Sequence, residues 1–200
     1  HLAAEDWNSI YRESRRQTVT GIVHSGLSFI PDEFLPDEGL MTKWTAAVFR
    51  IEQASRKMDA IVAGVAGKFL GLGLHPVLLK GQAAARLYRE PLLRECGDID
   101  LYFADRAEWR EAVETLAKEG NALSKVADGS CHYETDGVVV ELHSKMMDIC
   151  NPFRQKWLKE LEPQFCFDVA EIGGCRINTP SPELNMLLMS SHIMKHAFGR

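Results

Sequence analysis

Two aspartates separated by a single isoleucine, Asp98-Ile99-Asp100, stand in a run that turns apolar through Leu101, Tyr102 and Phe103. No other stretch limits the fold and chemistry of this chain so tightly. In an extended strand alternate side chains share a face, which puts the two carboxylates together, roughly 6.6 Å apart at Cα. Ile99, Leu101 and Phe103 then point the other way, into a core. Carboxylates held on one face repel each other, and a divalent cation relieves the conflict; hard oxygen donors suit Mg²⁺ or Mn²⁺. A bare Asp-x-Asp is more often a solvated strand face. Here Gly97 precedes the pair, and an earlier apolar run, Pro76 to Leu79, ends on Lys80-Gly81 about one short helix before it. A strand that ends on glycine can present backbone N–H groups to phosphate. The stretch therefore reads as a metal and phosphate site.

Net charge is −5, which removes the electrostatic case for broad binding to a nucleic-acid backbone. A nucleotide that brings its own Mg²⁺ is still admitted, because the metal supplies the positive charge. Two hundred residues fit one domain, or one domain with a helical appendage. The five cysteines, at 96, 131, 150, 166 and 175, are odd in number and show no C-x-x-C spacing. That usage predicts reduced thiols in a cytoplasmic protein. No apolar run approaches membrane-spanning length. The chain opens on His1 without Met or a signal-like segment and stops at Gly199-Arg200 after a helical pattern, so a longer natural protein is expected.

In chain order, residues 3 to about 24 keep a loose helical period through Trp7, Ile10, Tyr11, Val19, Ile22 and Val23. Two prolines make 29–39 a loop. A long helix is predicted from about Met41 to Leu72, closed by Gly71 and Gly73, and these N-terminal helices read as packing support. Leu74 to Leu79 is a strand, Gln82 to Arg89 a short helix stopped by Pro91, and Ile99 to Phe103 a second strand. Asp105 caps a helix through about Glu119, with Trp109, Val113, Leu116 and Ala117 on one face. Leu123 to Val126 is a short strand. Asp136-Gly137 between two β-prone runs marks a hairpin, and along its second arm Val139, Glu141 and His143 share a face. A lone carboxylate in an apolar strand needs a partner. For Glu141 that partner is either an arginine such as Arg94, or the same metal as the aspartates. Residues 152–162 read as a helix, Gly173-Gly174 joins a second hairpin, and Pro182 opens a last helix. His192 and His196 lie four apart on that helix, but the intervening Ile193, Met194 and Lys195 lack the H-E-x-x-H glutamate, so packing is favoured over zinc.

These residues resemble the polymerase-β-like nucleotidyltransferase superfamily. Within it the chain is most similar to an uncharacterised nucleotidyltransferase family marked by an L-K-G turn, a short helix and R-x-x-G-D-I-D-L. The matching residues are Leu79-Lys80-Gly81, Leu87-Tyr88 and Arg94-Glu95-Cys96-Gly97-Asp98-Ile99-Asp100-Leu101, joined by Val140-Glu141-Leu142-His143 and by the helix from Pro182. The resemblance covers roughly residues 41–200. It implies an α+β fold: a small mixed β-sheet core with flanking N- and C-terminal helices. The expected layout is a helical region at 1–73, a nucleotidyltransferase-like core at 74–180 and the start of a C-terminal helical region at 181–200.

The resemblance also implies roles. Asp98, Asp100 and Glu141 would ligate two Mg²⁺ (or Mn²⁺) ions, Glu141 beside the attacking hydroxyl either as ligand alone or also as acceptor of its proton, with His143 as an outer contact of that set. Lys80, Gly81, Gln82 and Arg94 would hold the nucleotide phosphates. The implied reaction moves a nucleoside monophosphate from an NTP to a hydroxyl of a small molecule or protein and releases pyrophosphate. One departure matters: the superfamily usually has Gly followed by Ser or Thr at the first turn, where this chain has Lys80-Gly81-Gln82. Lys80 then either contacts phosphate or forms an internal ion pair with the carboxylates. The second arrangement describes the alternative, a catalytically silent binding or regulatory module. Arg94 is open in the same way, as phosphate clamp or as partner of Glu141.

Overall fold

The computed structural model describes residues 4–125, 129–147 and 151–198, with the backbone alone at 4, 152 and 195–198. The chain divides into two compact units, one of residues 1–57 and 88–96, the other of 58–87 and 97–200. Among the described residues no helix is long and apolar enough to cross a membrane.

The first unit is helical. It holds α1 (Ala4–Arg16), α2 (Thr20–Gly26) and the first part of α3 (Glu38–Gly71). A single helix expected over residues 3–24 is in fact broken at Thr18, whose φ of 54° is left-handed. The β-branched Thr18-Val19-Thr20 run carries the break, since branching at Cβ stiffens χ1 and weakens a helix. Gly21, just beyond, presses on its neighbour: a Cβ there would lie 2.9 Å from the Leu93 carbonyl oxygen. The core of this unit is aromatic. Trp7, Tyr11, Leu27, Leu40 and Trp44 are buried together, and the fully buried Trp44 donates its Nε1–H to the Thr20 carbonyl oxygen at 3.1 Å.

The second unit is a mixed sheet with helices, the α+β class expected. Its strands are β1 (Val77–Leu79), β2 (Asp98–Tyr102), β3 (Ser124–Lys125), β4 (Cys131–Thr135), β5 (Val138–His143), β6 (Phe167–Ile172) and β7 (Cys175–Pro180), in the order β3-β4-β5-β2-β1-β7-β6. Its helices are the end of α3, α4 (Lys80–Ala85), α5 (Arg106–Lys118), α6 (Pro152–Leu161) and α7 (Pro182–Phe198). β2 is the central strand. It runs antiparallel to β1 and parallel to β5.

Both faces of β2 are covered. Ile99, Leu101 and Phe103 are fully buried on one side, where Phe103 meets Phe69 of α3 edge to face with ring centroids 5.5 Å apart. On the other side Tyr102 packs with Val77, Leu79, Met146, Met147 and the α6 and α7 residues Leu158, Leu184 and Leu188. Asp105 caps α5 by accepting from the Ala107 N–H at 2.7 Å. The buried stripe of α5 centres on Ala112 and Leu116, while Ala117 is exposed. Asn151 caps α6, accepting from the N–H groups of Phe153 and Arg154.

Two tight hairpins set the strand pairing. Asp136 and Gly137 have φ of 52° and 74°, and Gly173 and Gly174 have 56° and 82°, the doubly positive pattern of a type I′ turn. Gly173 has a second reason to be glycine. A Cβ there would lie 2.4 Å from the Asp59 carbonyl oxygen of α3, backbone that cannot rotate away. At Gly174 a Cβ meets nothing within 4 Å. Gly173→Ala is therefore expected to destabilise by about 2–4 kcal/mol, combining overpacking with left-handed strain. Gly174→Ala carries the strain alone, about 1 kcal/mol. Paired urea titrations of the two variants check the difference.

Candidate active site

The sheet register assembles a polar cluster. β2 and β5 pair so that Asp100 lies beside Glu141 and Tyr102 beside His143. Alternation then turns Asp98, Asp100, Glu141 and His143 to one face. On the other flank Leu79 of β1 pairs with Asp100, so Lys80, the next residue, enters from the strand end. Lys80 has φ of +46°, a conformation that non-glycine residues seldom hold and that tends to persist at functional turns. Lys80, Asp98, Glu141 and His143 line a cleft of about 330 Å³, whose far side is built from Met146, Met147, Leu188, Ser191 and His192.

Asp100 is 1% exposed. Its Oδ1 accepts from Lys80 Nζ at 2.7 Å and pairs with His143 Nε2 at 2.9 Å. Its Oδ2 is buried and has no hydrogen-bond partner among the described residues. His143 Nε2 also lies 3.3 Å from Glu141 Oε2. Among the described residues Asp100, Glu141 and His143 form a group whose ligand atoms lie within 4.8 Å of one another. Asp98 is outside that group but close enough for its charge to register on it.

The charges act in opposite directions on the two aspartates. Burial raises the Asp98 carboxyl, and the neighbouring Asp100 raises it further. For Asp100, burial also works upward, but the His143 hydrogen bond and the Lys80 charge together outweigh it and hold the carboxyl low. Glu141 is lowered, first by its hydrogen bond with His143. His143 is opposed by burial, yet its bonds to Asp100 and Glu141 prevail and push it up to about 9. The cluster is thus a hydrogen-bonded net of two anions and two cations beside a less comfortable third anion.

A pH dependence follows. The folded value of His143 lies above the unfolded value of about 6.5. Its stabilising contribution is complete below about pH 6.5 and is lost as pH rises through about 9. In metal-free protein the His143 ring is expected to titrate near 9 by NMR. Urea midpoints should fall between about pH 6 and about pH 10, and the fall should shrink in His143→Gln.

The other residues singled out in the sequence lie as follows. Gly81 and Gln82 are buried in α4, and both polar atoms of the Gln82 amide lack a partner among the described residues. Gln82 does not line the cleft. Arg94 belongs to the first unit, where its Nη1 donates to Cys96 Sγ at 2.8 Å. His192 reaches the cleft wall. The His196 side chain, Val126 and Cys150 lie outside the described residues.

His132 and Ser130, which also line the cleft, were not anticipated. His132 of β4 faces Glu141 in the hairpin register, with Nε2 3.5 Å from Glu141 Oε2. Ser130 Oγ lies 2.7 Å from the same His132 nitrogen. The signal was present, because a two-residue Asp-Gly loop pairs 135 with 138 and hence 132 with 141.

A family model described as "Uncharacterised nucleotidyltransferase" matches residues 3–200. The chain belongs to this nucleotidyltransferase family. No curated protein matches it. Among solved structures it is similar to an antigenic nucleotidyltransferase-like protein from Paracoccidioides brasiliensis, at 20% identity and a TM-score of 0.41. That match covers 62% of this chain and 61% of the other, so the chain spans about three-fifths of that protein's length.

Proposed function

We propose that this chain is a divalent-metal-dependent nucleotidyltransferase. It moves a nucleoside monophosphate from an NTP to a hydroxyl of a small-molecule or protein acceptor and releases pyrophosphate. The observation that carries the reading is the Asp100–Glu141 register pair with Asp98 one step away, at a cleft entered by Lys80. The donor set fits a divalent cation, because Asp100 keeps one buried oxygen without a partner inside a converging group of carboxylates. Asp98, Asp100 and Glu141 would hold the metal, two ions in the full arrangement. A bound divalent ion neutralises triphosphate charge and steadies the attacking and leaving oxygens.

The chain's own groups do the positioning. Lys80 Nζ, on its four-carbon stem from the turn after β1, meets the phosphates. Gly81 keeps that turn tight. His143 orients the Asp100 and Glu141 carboxylates. The acceptor oxygen attacks the α-phosphorus, the bond to the bridging oxygen breaks, and the hydroxyl proton leaves to solvent. Glu141, with its carboxyl held low, is a weak base and is assigned to ligation. The negative net charge favours a small-molecule or protein acceptor over a nucleic-acid polymer. The odd cysteine count without a C-x-x-C spacing supports a reducing, cytoplasmic setting.

One observation favours the silent module: Lys80 Nζ already neutralises Asp100 at 2.7 Å. Calorimetry separates the readings. Titration of ATP, GTP, CTP and UTP with Mg²⁺ or Mn²⁺ is expected to show metal-dependent binding of at least one NTP, weakened in Lys80→Met. Absence of binding for all four under both metals would sink the enzyme reading and leave the silent one.

A further inference from the structure

We infer that the metal position in this cleft is a mixed imidazole–carboxylate site, with His143 as a ligand beside Asp100 and Glu141. It takes a first-row transition dication, for which Mn²⁺ is the probe, in preference to Mg²⁺. The inference rests on the proposed function for the presence of a metal, and goes beyond it in the donor set and the class of ion.

The geometry presents a nitrogen, where the motif alone offers only oxygens. His143 Nε2 lies 2.9 Å from Asp100 Oδ1 and 3.3 Å from Glu141 Oε2, so the ring edge that faces both carboxylates would ligate once the ion displaces its proton to solvent. These three side chains, and not Asp98, bring their ligand atoms within 4.8 Å of one another. A second observation points to a ligand. Asp100 is 1% exposed, yet its Oδ2 has no partner among the described residues, and a buried carboxylate oxygen left unpaired is costly. His143 lines the cleft, so an ion entering with nucleotide can reach it.

The register explains why the nitrogen is there. Glu141 and His143 are two apart on β5 and share a face, while Asp100 sits beside Glu141 on β2. His132 Nε2, 3.5 Å from Glu141 Oε2, steadies that carboxylate from the opposite flank. Mg²⁺ and Mn²⁺ are both served by oxygen donors; an imidazole donor shifts the balance away from Mg²⁺ along the first-row order, least at Mn²⁺ and more at the later ions. One nitrogen in a set of carboxylates therefore tilts the choice of ion without abolishing binding of Mg²⁺.

The test needs no turnover. Mn²⁺ is titrated into the metal-free chain and followed by the loss of its free-ion EPR signal, with Mg²⁺ as competitor. Wild type is expected to bind Mn²⁺ and to require at least about tenfold excess of Mg²⁺ for half displacement, equivalent to about 1.4 kcal/mol. His143→Asp, an all-oxygen set, is expected to narrow that preference, and His143→Asn to weaken Mn²⁺ roughly tenfold or more. In wild type, which needs no substitution to fold, Zn²⁺ is expected to shift the ¹⁵N resonance of His143 Nε2. Equal competition by Mg²⁺, unchanged Mn²⁺ affinity in His143→Asn, or an unmoved His143 resonance would overturn this inference and leave an all-carboxylate site standing. Failure of wild type to bind either ion, with or without NTP, would overturn the proposed function as well.

Discussion

Asp98→Asn is expected to leave the protein as stable as wild type or slightly more so, while Asp100→Asn destabilises it. Both should lower nucleotidyl transfer on the order of 10²–10³-fold. The two residues are one strand step apart on the same face, and the contrast arises from their surroundings. Burial and the neighbouring Asp100 raise the Asp98 carboxyl. An acid raised in the folded state stabilises only below its unfolded value and opposes folding as pH rises through the folded value. Removing that charge at neutral pH gains between zero and about 1 kcal/mol. Asp100 is the counter-ion of both Lys80 and His143. Its removal strands Lys80 and leaves His143 with Glu141 alone beside a core strand, which costs about 3 kcal/mol. That is the low end for a broken buried pair, because the Lys80 side chain is 24% exposed and can turn to water. Urea unfolding at about pH 7 and transfer of label from α-labelled NTP measure the two effects separately. Equal stability losses in the two variants would show that the charges are not arranged as described.

Phe103→Ala is expected to cost about 3–5 kcal/mol. The ring is fully buried, and it meets Phe69 edge to face. Its backbone N–H donates to the His143 carbonyl oxygen at 3.0 Å, so Phe103 also closes the β2–β5 ladder that carries the cluster. Truncation leaves a cavity behind Ile99 and Leu101, on the face opposite the carboxylates. A thermal midpoint lowered well beyond that of Leu87→Ala, an exposed site of similar chemistry, would support the assignment. Residual transfer per folded molecule should fall much less than in Asp98→Asn. A cost under about 1 kcal/mol would mean that this face of β2 is not the packed centre of the sheet.

The strands and hairpins could be read from the chain because their signals are local. Period-two burial around Ile99 and Leu101, the Asp136-Gly137 turn and the Gly173-Gly174 turn each act over a few residues. They suffice to place Asp98 and Asp100 on one face of a strand and Glu141 on the second arm of a hairpin. What escaped depended on register or on contacts distant in sequence. The direct bonds of His143 to Asp100 need the parallel β2–β5 pairing, which no turn encodes. His132 was deducible from the hairpin but drew no attention, being one polar residue in a polar arm. Gln82 follows the phosphate turn in sequence, yet α4 starts at Lys80 and rotates its amide inward. The break at Thr18 was hidden by a helical period that ran through it.

Crystals of the chain loaded with Mn²⁺ and a non-hydrolysable NTP, measured at the manganese absorption edge, test the central claim most directly. The account predicts anomalous density bounded by Asp98, Asp100, Glu141 and His143, with the triphosphate against Lys80. Manganese bound elsewhere, or an empty cleft with Lys80 still on Asp100 at saturating ligand, would contradict it.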